Sequence, residues 1–210
     1  MLRINKVLLV AACALGLWST YANAQDKHVT TINNCTVIDK PGAYVVGKVI
    51  EARVSDLTPL SGAFADTVGC IVINADLVTL NLGGNTIFGP GVAGIFGAGV
   101  AAVGRKMVKV HSGVVTNFNI GVLLDGADHT VQDVNSSYNF GLGIWVQGQD
   151  GHRIIGNIAN RNFNNGILVQ CPAVVLGNMA TGSLNDLITL TTGPNTCTRE
   201  HNNPFIGDQP

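Results

Sequence analysis

Two short polar clusters stand about one repeat apart in the chain: Asp125, Asp128 and His129, then Asp150, His152 and Arg153. These side-chain types suit chemistry on an acidic sugar. A cation neutralises the uronate carboxylate while a base removes the acidified ring proton. Inverting hydrolysis would instead need two carboxylates facing each other across a cleft. Asp128 precedes Asp150 by 22 residues, so the two carboxylates are expected to stack, a pair suited to calcium. The competing reading is a polar turn copied from one structural unit to the next.

A second row carries Trp145, Gln147 and Gln170, with Leu123, Asp125 and Leu168 at matching positions. An outward indole between amides suits a sugar ring, whose apolar face stacks on the aromatic while its hydroxyls find donors and acceptors. Against this, Trp145 would serve equally to shield a sheet beneath another segment. Tyr138 and Arg161 are expected to stack on a further turn beside this row. The five histidines lack metal-ligand spacing, and the glycines follow a structural period rather than a phosphate loop. No cofactor is expected beyond the calcium pair.

The elements that position these groups are written as a repeat. NFNIGVLL (Asn117–Leu124), NFGLGIWV (Asn139–Val146) and NFNNGILV (Asn162–Val169) recur at 22 and 23 residues. Phe96, Phe118, Phe140 and Phe163 mark the period, and Leu184 follows. Short alternating strands repeating at this interval, with no room for crossover helices, define a solenoid. Each coil holds strands paired in parallel with their copies about 4.8 Å away. Val122, Leu124, Ile144, Val146, Ile167 and Val169 are expected to point inward, and Leu123, Trp145 and Leu168 outward. The phenylalanines are expected to form an interior column. The motif asparagines should take left-handed corners and bond to their copies, and the motif glycines should serve a second corner. The fold class is all-β, a parallel β-helix of six to seven coils.

Residues 1–24 read as a secretory signal peptide: Arg3 and Lys6, an apolar run from Val7 to Trp18, then Ala22-Asn23-Ala24. The run is shorter than the roughly 20 residues of a membrane span. The uncharged stretch Thr86–Gly104 has six glycines and a proline, which argues for a buried coil rather than a spanning helix. Without Arg3 and Lys6, ten cations face thirteen carboxylates, a formal charge of −3. That excludes a basic nucleic-acid surface and a polybasic membrane patch.

The remaining domain, 25–210, divides into a cap (25–66), coils (67–193) and a polar tail (194–210). Cys35, Cys70, Cys171 and Cys197 imply two disulfides. Three connectivities are open, and Cys35–Cys70 with Cys171–Cys197 is favoured because each pair clips one end.

CIVINADLVTLNLGGNTIFG (Cys70–Gly89), preceded by PGAYVVGKVI and followed by Asn-rich coils, resembles secreted parallel β-helix repeat proteins of the pectate-lyase-like superfamily. The resemblance implies a right-handed helix. It also implies a group containing polysaccharide lyases, glycoside hydrolases, uronan epimerases and non-catalytic members. Relatives commonly carry Leu-Asp-Leu-Asn-Gly-His where this chain has LNLGGN (Leu80–Asn85), so that segment supplies no site. Uniform coils leave no room for cleft walls between Phe96 and Leu184, and only 12% of residues are charged. The leading expectation is an exported polysaccharide-binding β-helix. A small lyase or epimerase and a purely structural module are the alternatives.

Overall fold

The computed structural model describes residues 29–92, 95–190 and 197–202. The expected signal peptide and most of the tail lie outside these residues.

Alternating sequences become strands that climb the molecule one coil at a time. One sheet stacks, in chain order, Thr30–Ile32, Gly42–Val46, Val78–Asn81, Lys109–Thr116, Thr130–Asn135, His152–Ile155, Ala173–Leu176 and Thr198–Glu200. The second stacks Thr36–Ile38, Val68–Ile73, Gly97–Lys106, Ile120–Ala127, Leu142–Gly148, Asn165–Gln170 and Asn185–Leu190. Every pairing along both paths is parallel. A narrow third face joins Ile50–Glu51, Thr86–Phe88 and the end of Lys109–Thr116, then continues as bridges from Asn135 to Ile158 and on to Met179. This is a parallel β-helix. Residues 25–66, expected as a cap, already contribute strands to both sheets from Thr30 onward.

The period-two pattern places Val122, Leu124, Ile144, Val146, Ile167 and Val169 inside with no exposed surface. Paired strands put Val122 beside Ile144 and Ile144 beside Ile167, so aliphatic side chains stack along the axis. Both favoured disulfides are present, with Cα–Cα distances of 4.4 Å for Cys35–Cys70 and 5.1 Å for Cys171–Cys197.

The phenylalanine column is not inside. Phe118 is buried, but Phe96, Phe140, Phe163 and Leu184 are 62%, 38%, 79% and 75% exposed. The reason is corner length. The Phe118 amide donates to Asn139 Oδ1 (3.1 Å), the Asn139 amide to Asn162 Oδ1 (2.9 Å), and the Asn162 amide to Ser183 Oγ (3.1 Å). The interior column therefore runs Phe118, Asn139, Asn162, Ser183. One residue, Asn119, separates Phe118 from its strand. Two residues, Phe140-Gly141 and Phe163-Asn164, do so in the next coils, and the added length carries the phenyl rings outward.

Two motif roles also change. The left-handed corner belongs to Asn117, Tyr138 and Arg161 (φ 61°, 58° and 52°), so only the first motif asparagine occupies it. Gly121 and Gly143 have no left-handed backbone; they are glycines because the interior is full. A Cβ on Gly121 would strike Ser136 Oγ and the Gly143 carbonyl, and one on Gly143 would strike Asn162 and the Gly166 carbonyl.

One segment breaks the uniformity. Residues 52–67, carrying two short 3-10 turns (Val54–Asp56 and Gly62–Phe64), fold over the outer face of the second sheet. Leu60 and Phe64 pack there with Val72, Ala101 and Leu123. Leu123 points away from the helix axis as expected, yet this loop leaves it no exposed surface.

Candidate functional site

Three interior columns of polar side chains finish the coil corners, and they absorb several residues that looked like chemistry. At each corner a backbone N–H must find an acceptor, because burying it unpaired would cost about 1–3 kcal/mol. Asn157 Oδ1 accepts from the Val134 amide (3.0 Å), Asn178 Oδ1 from the Asn157 amide (3.0 Å), and Asn202 Oδ1 from the Asn178 amide (2.9 Å). Their Nδ2 groups donate to the carbonyls of Val131, Ile154 and Val175 (2.9, 2.8 and 2.8 Å).

His129 and His152 do the same work at another corner. His129 Nδ1 faces the Val108 amide at 3.4 Å, and His152 Nδ1 faces the His129 amide at 3.3 Å. Both side chains are fully buried, and their rings stack with centroids 5.4 Å apart and planes 10° from parallel. Burial pulls both imidazoles below their ordinary pKa of 6.5. His152, which also faces His129, falls to about 4, with Asp128 and Asp150 opposing the shift.

The expected acid–base cluster therefore does not converge. His129 and His152 point into the core, where no substrate reaches them. Arg153 is exposed on the outer face of the first sheet, paired with Thr130 and Val174. Asp125 is engaged on the second sheet: its carboxylate accepts from the Gly104 amide (3.2 Å) and from Gln147 Nε2 (3.1 Å).

Asp128 and Asp150 do not stack on each other. The histidine rung is 23 residues long, so Asp128 lies against Gly151, while the Asp128 amide donates to the Asp150 carbonyl at 3.0 Å. The 22-residue register assumed for the pair is thus off by one residue. Among the described residues, no group of three or more His, Cys, Asp or Glu side chains is placed to hold a metal ion.

The second row does come together. Leu123, Trp145 and Leu168 are in register on adjacent strands of the second sheet, as are Asp125 and Gln147. Gln170 Oε1 accepts from the Gly148 amide at 3.0 Å. Gln147 Oε1 and Gln170 Nε2 are left without a protein partner among the described residues. Trp145 is half-buried, and Phe64 of the covering loop meets its ring edge-on, with centroids 5.3 Å apart and planes at 81°. Its Nε1 is buried without a hydrogen-bond partner among the described residues.

Shielding is thus part of what Trp145 does. The row is covered at Leu123 and half-buried at both Trp145 and Leu168. At the edge of this face the expected stack of Tyr138 and Arg161 is present. Arg161 donates to Tyr138 Oη at 3.1 Å, and its guanidinium carbon lies 5.7 Å from the ring centroid.

Phe64 was not legible as part of this surface, nor Phe140 and Phe163 as exposed corner residues. Phe64 lies in the aperiodic loop, while the other two were assigned to the core on their period. A cleft of about 510 Å³ at the N-terminal end, lined in part by Lys48, Glu51 and Asp56, contains none of these residues. The fold and this outer face place the molecule among the parallel β-helices. The chain matches no protein-family model, no curated protein and no solved structure. Among the described residues, no helix is long and apolar enough to cross a membrane.

Proposed function

We propose that this is an exported, pectate-lyase-like β-helix protein that binds a polysaccharide along the outer face of its second sheet, at the boundary marked by Trp145. The observation that carries the reading is the row itself. Trp145 and Leu168 form an apolar floor, Phe64 a wall, Gln147 and Gln170 supply unspent amide groups, and Tyr138–Arg161 lies at the margin. Successive coils repeat such groups about every 4.8 Å, which suits a linear polymer better than a compact small molecule. The signal-like residues 1–24 and the two disulfides support export. Inward histidines leave the lyase or epimerase reading without its imidazole base, so binding without turnover is the better account.

The test is retention of the protein on a panel of acidic and neutral polysaccharides, with and without calcium, followed by mass spectrometry of the polysaccharide. Retention on at least one of them is expected, with no shortened or unsaturated products. Trp145→Ala should weaken it roughly tenfold or more, the scale of losing one stacked aromatic of about 1–3 kcal/mol. Released oligosaccharides, or no retention on any member of the panel, would overturn the proposal.

A further inference from the structure

Every interior corner column needs an acceptor for a buried N–H, and two of the three use an asparagine oxygen, which no physiological proton can block. The first uses His129 and His152 Nδ1 instead. A protonated imidazole carries a hydrogen on both nitrogens and has no acceptor left. Protonating either ring would set N–H against N–H at the Val108 or His129 amide and place a charge in an apolar interior.

We propose that the stacked His129–His152 pair is an acid-labile latch: proton uptake breaks this rung and opens the corner formed by Ala127–Thr130 and Asp150–Arg153, while the asparagine corners stay closed.

The surroundings define the threshold. The ionisable groups acting on the pair are Asp76, Asp125, Asp128 and Asp150, all of which favour the charged ring, and His129, which opposes the charging of His152. Lys106 and Arg153 nearby are solvent-exposed. Both Nε2 atoms are buried with no hydrogen-bond partner among the described residues, and the backbone of Asp125 at His129 and of Gln149 at His152 favours the charged rings less than burial disfavours them.

Burial outweighs the carboxylates, and the folded-state pKa lies below the unfolded one for both rings. The unfolded or opened chain therefore binds protons first. Stability is fully present above about pH 6.5 and is lost as pH falls toward the folded-state value of about 4 at His152.

The test compares amides within one molecule by hydrogen exchange between pH 7 and pH 4.5, expressed as protection factors. The Val108 and His129 amides are expected to lose protection at least tenfold, while those of Val134 and Asn157, which donate to asparagine oxygens, hold within about threefold. His129→Asn with His152→Asn, or His152→Asn alone if the double variant does not fold, should flatten the acid loss. Equal behaviour of the two pairs of amides in the unaltered protein would overturn the proposal. So would an undiminished acid loss at the Val108 corner in the folded variant.

Discussion

Asn157 and Gln147 lie ten residues apart, carry the same primary amide and belong to columns repeated once per coil, yet their hydrogen-bonding capacity is used differently. Asn157 is buried and accepts from the Val134 amide while donating to the Val131 carbonyl and to Asn178 Oδ1. Gln147 donates once, to Asp125, and its oxygen has no partner among the described residues. The interior column spends its polar groups on closing the coil. The exterior column keeps some in reserve, and only a reserve is useful to a ligand.

The sharpest way to break this comparison uses one residue type on both sides of it. Phe118→Ala removes a buried ring at the axis and should cost about 3–5 kcal/mol of unfolding free energy. Phe163→Ala, at an outward corner, should change it by no more than about 0.5 kcal/mol. Urea unfolding of both variants checks this, and equal losses would mean that the two rings share one environment.

A smaller difference separates the amides. Asn157→Leu leaves the Val134 N–H without its acceptor in the core and should cost about 1–3 kcal/mol. Gln147→Ala should cost about 0.5 kcal/mol or less, since the Asp125 carboxylate keeps the Gly104 amide. The same unfolding measurement sharpens or removes the distinction.

What the sequence made legible is what strand geometry forces. Alternation of period two assigned Val122, Ile144 and Ile167 to the core because a one-residue slip would turn every side chain over. The four cysteines outside residues 1–24 and the Tyr138–Arg161 spacing likewise translated directly into contacts.

The phase of the corners was not legible. Interior spacings from Phe118 to Asn139 to Asn162 run 21 and then 23, and a repeat read at 22 averages over the added residue. Added residues at the Phe140-Gly141 and Phe163-Asn164 corners turned the phenylalanines outward, and a separate one in the turn after Gly148 offset Asp128 from Asp150. His129 and His152 looked like surface chemistry because their neighbours Asp128, Asp150 and Arg153 are polar. A closed corner asks only for a buried acceptor, and a neutral imidazole supplies one. The cover over Leu123 had no periodic signal, since residues 52–67 share no phase with the coils.

The central claim is that the inward amides are fully committed to the fold, whereas the outward ones, each holding one bond at the surface, keep part of their capacity free. Side-chain amide hydrogen exchange by NMR tests it most directly, without any ligand. The Nδ2 protons of Asn139, Asn157, Asn162 and Asn178 are predicted to be protected like core backbone amides, at least a hundredfold beyond those of Gln147 and Gln170. Interior asparagines exchanging as fast as the two glutamines would contradict the account.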